Sequence, residues 1–220
     1  MTEFPAMIAA LPREVKGLVR GWDVREPAKN VFVWTNGKAI VACAGMGAAR
    51  VALAVDAARK AGPVTALISI GLAGACDPSL KVAEIVRAGV VVDARTGERF
   101  DDSQFRQVLV TADAVASVKE KARLFASYGA AAVDMEAAAV ARLARAHGLW
   151  FAAVKVISDE AGFELEGMGR FATADGQFRE GAFAAYAAVR PWMWGKLIAL
   201  GRNSSRAVAA LTAEIQRHIE

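Results

Sequence analysis

The sequence offers little from which a disulfide scaffold or a Cys/His metal centre could be built, with only two cysteines and two histidines in 220 residues. Cys43 and Cys76 each sit beside glycine-containing segments with no metal-ligand spacing, so reduced, packed thiols are expected. His147 and His218 fall in no motif. His147 precedes Gly148 and reads as a residue at a helix C-terminus, where the dipole favours it. No block of lysine or arginine accompanies the net charge of +4 and the pI near 9.3, which argues for a solvated basic surface and against a nucleic-acid track. No run of 18 apolar residues exists to span a membrane. The opening "MTEFPAMIAALPREV" lacks a basic stretch followed by a long apolar one, so no signal peptide and a cytoplasmic location are expected.

What is present is alanine-rich and globular: 55% hydrophobic and 23% charged, enough chain for one domain over residues 1–220. Strand-like runs at 6–11, 64–75, 84–93, 105–113, 130–135 and 150–157 alternate with helix-like segments at 48–61, 114–127 and 136–147. After a polar, glycine-dotted loop (160–177), a helical segment runs from about 177 to the end, broken at Pro191. In "VFVWTNGKAIVACAG" (31–45), Asn36-Gly37 between two β-rich runs is a strong hairpin signal. Alternating elements imply an α/β domain with helices on both faces of the sheet. The hairpin makes that sheet mixed.

Ligands in α/β sheets bind beyond the carboxyl ends of strands, and four strand ends here carry suggestive residues. The run 6–11 delivers Glu14, the run 64–75 Gly71-Leu72-Ala73-Gly74, "AAAVDM" delivers Met135-Glu136, and "WFAAVKVI" delivers Ser158-Asp159. Each has a plainer reading. Glu136 suits a helix N-cap, Asp159 a turn, and Glu14 a first-turn acid favoured by the helix dipole. The coincidence of all four at strand ends points instead to carboxylates sharing one cleft.

The segments "IAALPREV", "CAGMGAARVALA", "SIGLAGACDPSLKVAEIV", "VDMEAAAVARLA" and "VKVISDEA", in this order over residues 7–162, resemble the nucleoside phosphorylase family. The likeness is to its nucleosidase branch, typified by methylthioadenosine/S-adenosylhomocysteine nucleosidase. "GLAGACDPSL", "DARTGERF" and "RPW" also look like the hopanoid-associated phosphorylase subgroup. The resemblance implies a mixed, partly closed β-sheet flanked by helices, a homodimer, no cofactor, and cleavage of the glycosidic bond of a purine nucleoside, with adenine the expected base. It assigns Asp159 as the acid at N7 of the base, Met135 and Glu136 as the ribose-binding pair, and Glu14 as the base that activates water. An acid on the leaving nitrogen and a base on a weak nucleophile are what departure of a purine from an oxocarbenium-like sugar requires. Ser158, Gly74, Ala73, Leu72 and Lys155 are the expected neighbours of substrate and water.

The chain departs from the phosphorylases at two positions. Where they carry an arginine and a serine for phosphate, Ser69 and Leu72 stand here, which favours water over phosphate as nucleophile. The segment that supplies an aromatic over the purine offers Ala114 and Val115 instead, with Phe163 or Phe171 as substitutes. In the tail, Trp192, Trp194, Leu197, Ile198 and Leu200 lie among Arg190, Lys196 and Arg202. Packing against the domain or a second subunit is the expected role. Peripheral membrane contact, or a wall for a substrate with a large or lipidic 5′ substituent, is the competing one. The alternatives to a nucleosidase are a phosphate-dependent phosphorylase and a non-catalytic nucleoside- or lipid-binding protein on the same fold.

Overall fold

The computed structural model describes residues 4–101, 105–164, 167, 171 and 179–219. Strand β1 (Phe4–Ala9) turns Ala6 and Ile8 to one layer and Met7 and Ala9 to the other, the period of a strand buried on both faces. It leads into α1 (Pro12–Val15), one helical turn with proline at its first position. β2 (Asp23–Ala28), β3 (Val31–Thr35) and β4 (Ile40–Cys43) then form an antiparallel ladder. The expected hairpin forms at Asn36-Gly37. Asn36 Oδ1 accepts from the backbone N–H groups of Lys38 and Ala39, both at 2.9 Å, and Gly37 takes a φ of +79°. β2 has no counterpart in the sequence reading. It is exposed along its whole length and contains Pro27, so no apolar alternation marks it.

α2 (Ala48–Ala61) and β5 (Val64–Ala75) lie within the expected limits. There follow β6 (Ile85–Asp93), the three-residue β7 (Arg99–Asp101), β8 (Gln107–Thr111), α3 (Val118–Tyr128) and β9 (Ala130–Asp134). Then come α4 (Ala137–Ala146), β10 (Trp150–Asp159), α5 (Glu180–Ala188) and α6 (Pro191–Ile219). α3 begins four residues later than expected because Ser117 caps it, its Oγ accepting from Glu120 N at 3.2 Å.

The topology turns on β5. Its first half lies between β1 and β10, both parallel to it, while Gly74 and Ala75 at its end pair antiparallel with Val133 and Ala132 of β9. β10 continues to β6, β6 to β8 and β8 to β9, so five strands close on themselves and the β1-β4-β3-β2 sheet extends from one side. This is the mixed, partly closed sheet that the family resemblance implies.

Helices cover both faces. Val51, Ala54, Val55 and Ala58 of α2 pack with Ile8, Ile40, Leu67 and Val140 on one side. Ala207, Leu211 and Ile215 of α6 pack with Met7, Val41, Ile70 and Val156 on the other. Buried Glu214 ties α6 to the sheet by accepting from Arg87 of β6, with Arg217 and His218 also on its carboxylate. At the start of α6, Trp192 and Trp194 are 74% and 51% exposed within this chain, while Leu197 and Leu200 are partly covered.

Candidate active site

The ends of β1, β4, β9 and β10, with the second half of β5, converge on one cavity of about 740 Å³. Glu14, Leu72, Ala73, Gly74, Val115, Met135, Glu136, Ser158, Asp159 and Phe163 all line it. Lys155 does not. It lies beneath the floor, 1% exposed, donating to Asp134 Oδ2 at 2.9 Å and to the Ile70 carbonyl at 3.3 Å. Phe171 is also absent from the wall; it packs against Phe183 and Tyr186, each with ring centroids 5.2 Å away. Ser69 is wholly buried in β5 and does not reach the cavity, whereas Leu72 does.

Glu14 is positioned by its own turn: Oε2 accepts from the backbone N–H groups of Ala10 and Leu11, each at 3.2 Å. β5 leaves room for it at Gly71, where φ is +134° and a Cβ would stand 3.1 Å from Glu14 Oε2. Burial raises the Glu14 pKa, against the opposing pull of Lys155, the two N–H groups and Arg13.

Glu136 occupies the N-cap position of α4 but does not cap it. That work falls to Asp134, whose Oδ2 accepts from Ala137 N at 2.9 Å while Oδ1 accepts from Thr111 Oγ1 at 2.7 Å. Glu136 is thereby left facing the cavity, with Oε1 accepting from Gly47 N at 3.1 Å. Burial, then the charges of Asp134 and Glu14, push its pKa up to about 7 against Lys155 and the Gly47 N–H. Three buried carboxylates thus surround one buried ammonium. Burial by itself would lower the Lys155 pKa, but Asp134, Glu136 and Glu14 together outweigh it and hold the value raised.

Asp159 is held from both sides. Ser158 Oγ lies 2.7 Å from Oδ1, and Lys121 of α3 donates to Oδ2. The same lysine, 2% exposed, reaches the carbonyls of Glu160 (3.0 Å) and Phe163 (3.1 Å), so it anchors the chain leaving β10. Gly74 makes space for this pair, since a Cβ there would sit 3.0 Å from both Asp159 Oδ2 and Lys121 Cε.

The phosphorylase superfamily model matches residues 6–114 and 104–190, most of the chain. The chain belongs to that superfamily. The resemblance read from the motifs is thereby borne out, and with it the enzyme class. No curated protein sequence matches the chain. Among solved structures, the methylthioadenosine/S-adenosylhomocysteine nucleosidase of Helicobacter pylori superposes with a TM-score of 0.71 at 15% identity, covering 98% of this chain and 97% of that one. The methylthioadenosine nucleosidase of Arabidopsis thaliana gives 0.70 at 15% identity, covering 98% and 93%. Futalosine hydrolase of H. pylori gives 0.65 at 17% identity, covering 97% of each chain. At such identities the likeness establishes the fold, and the expected α/β architecture is that of these superfamily members.

Three site features went unread in the sequence. Lys121 sits in "VKEKARLF", where a lysine reads as helix surface; only the buried Leu124 one turn on hints otherwise. Asp134 did carry a signal, an acid closing an apolar strand directly before a helix. Met46 lines the cavity from the loop after β4. Leu197 and Leu200, named in the sequence among residues that could wall a large 5′ substituent, line the cavity together with Ser204 of α6 and Phe183 of α5. Burial pushes the Cys43 and Cys76 thiols up to about 12, which leaves them as packed, unreactive groups.

Proposed function

We propose that the protein hydrolyses the N-glycosidic bond of a purine nucleoside, with adenine the expected base, carrying a large apolar substituent at the 5′ position. In this reading Asp159, oriented by Ser158, serves N7 of the departing base, and Ala114, Val115 and Phe163 border the purine. Glu136 and Met135 hold the ribose. A Glu136 carboxyl titrating near 7 suits contact with hydroxyls whose acidity rises as the sugar becomes cationic. Glu14 takes the proton of the attacking water; its raised pKa makes it a stronger base than an exposed glutamate.

The observation that carries the reading is the asymmetry of the cavity, which has carboxylates at the strand ends and a wall of Phe183, Leu197 and Leu200 at the other side. Lys155 lies under the floor, Lys121 is occupied by Asp159 and two carbonyls, and Leu72 offers no hydrogen bond, all of which disfavour a phosphate dianion. One feature favours phosphorolysis as a second reading: Arg13 lines the cavity beside Glu14. A panel of purine nucleosides with graded 5′ chains, incubated with and without phosphate, separates the two. Hydrolysis predicts free base and unphosphorylated sugar at a phosphate-independent rate, abolished in Asp159→Asn and slowed severely in Glu14→Gln. Ribose 1-phosphate as product would replace this reading with the second.

A further inference from the structure

We propose that the α5–α6 junction and the first half of α6 form a docking face for an anionic lipid bilayer. Val189, Trp192, Trp194 and Ile198 are 70%, 74%, 51% and 65% exposed, four large apolar side chains within ten residues. Tryptophan in water-soluble domains is mostly covered, and its amphipathic ring favours the bilayer–water boundary. Charge marks the same stretch. Between residues 179 and 210 lie Arg179, Arg190, Lys196, Arg202 and Arg206 against the single acid Glu180, so this segment carries the whole +4 excess of the chain and the remainder is balanced. Lys196, Arg202 and Arg206 are exposed. Apolar anchors interleaved with cations on an exposed helical stretch are the pattern of a helix lying on a negatively charged membrane surface. No helix among the described residues is long and apolar enough to cross one.

A second copy of the chain fits this face less well. A two-fold contact would set the cationic face of one protomer against the same face of its partner, with like charges opposed. A negative lipid surface matches the charge, and the Trp194 indole is already steadied by donating to the Ala187 carbonyl at 3.0 Å. The location has a consequence that rests on the proposed nucleoside chemistry. α6 presents Trp194 and Ile198 outward while Leu197 and Leu200 line the cavity. An amphiphilic nucleoside would then pass from bilayer to carboxylates along one helix, without its apolar chain crossing water.

The test is co-sedimentation of the full chain with vesicles of phosphatidylglycerol and phosphatidylcholine, read beside its melting temperature and oligomeric state. Wild type should bind the anionic vesicles, more weakly as salt rises. Trp192→Ser/Trp194→Ser, and separately Lys196→Glu/Arg202→Glu, should each weaken binding by roughly 10-fold or more, at an unchanged melting temperature. Three outcomes overturn the proposal: no binding of wild type to anionic vesicles, binding that survives both double variants, or a wild-type dimer that the tryptophan variant converts to monomer. Sedimentation does not depend on turnover. A protein that binds vesicles but cleaves no nucleoside would therefore refute the proposed chemistry and leave the docking face standing.

Discussion

Replacing Glu136 by glutamine should stabilise the protein at alkaline pH and destabilise it at acidic pH. The Glu136 carboxyl is moved from its ordinary 4.5 to about 7 because burial, Asp134 and Glu14 all oppose its charge. A pKa raised by folding means that the contribution of the group is fully present below about 4.5 and is lost as pH rises through about 7. Above that, ionised Glu136 costs the folded state about 3 kcal/mol. Glutamine cannot ionise, keeps an oxygen for the Gly47 N–H, and leaves a buried amide NH2 short of a partner at a cost of about 1 kcal/mol. The net gain at pH 8.5 is then about 2 kcal/mol, a rise of roughly 4–8 °C in melting temperature for a chain of this size. At pH 4 only the amide cost remains, and the variant should melt a few degrees below wild type. Paired thermal melts from pH 4 to 9 read this: carboxylates remote from Glu136 cancel in the difference, while Asp134 and Glu14, which share its field, relax together with it. A glutamine variant less stable than wild type by the same margin at both ends would refute the reasoning, since Glu136 would then carry no burial penalty. The same variant should cleave nucleoside poorly, so that a residue kept for function is one that costs stability.

Lys155→Met leaves Asp134, Glu136 and Glu14 buried with no cation among them. It should cost about 3–5 kcal/mol in urea unfolding at pH 8 and distinctly less at pH 5, where Glu136 and Glu14, whose pKa values are raised, take up protons; equal losses at both pH values would count against a charge cluster. Lys121→Met removes the partner of Asp159 and the donor to the Glu160 and Phe163 carbonyls. Because the Asp159 side chain is about a fifth open to water, the stability loss should fall toward the lower end of that same range. Base release should drop much further than stability does, and a variant with wild-type turnover would show that the pair is only structural.

Local pattern made much of the fold legible. The limits of α2 and β5 could be read because an alanine-rich helical segment and an apolar strand meet at Gly62-Pro63, two residues that suit neither. β2 and β7 were not legible: one is an exposed edge with Pro27 in it, the other three residues long, and both exist only through their partners β3 and β6. Glu14, Glu136 and Asp159 were visible as acids at strand ends, a rule of topology. Their partner Lys121 was not foreseen, and Lys155, expected beside substrate and water, lies under the floor instead, because which lysine comes under which carboxylate depends on how five strands close. Whether the tryptophans of α6 meet their own domain was not legible for a related reason. Side-chain type suggests burial, but only the packing of α6, through Leu211, Ile215 and Glu214, decides which of its faces is left outside.

The forked pairing of β5 bears on how the chain assembles as it leaves the ribosome. β1, β2, β3, β4 and β5 are complete after about a third of synthesis, while the domain folds as a unit only once its later strands are made. One flank of β5, however, waits for β10, whose first residue lies 75 positions after the last residue of β5. Through that interval an apolar strand edge stands open, the kind of surface that chaperones cover and that pairs wrongly with neighbouring nascent chains. Asp159 arrives on the strand that closes this gap. A product stalled before residue 159 therefore lacks one of the carboxylates that line the cavity with Glu14, and one flank of its β5 stays unpaired.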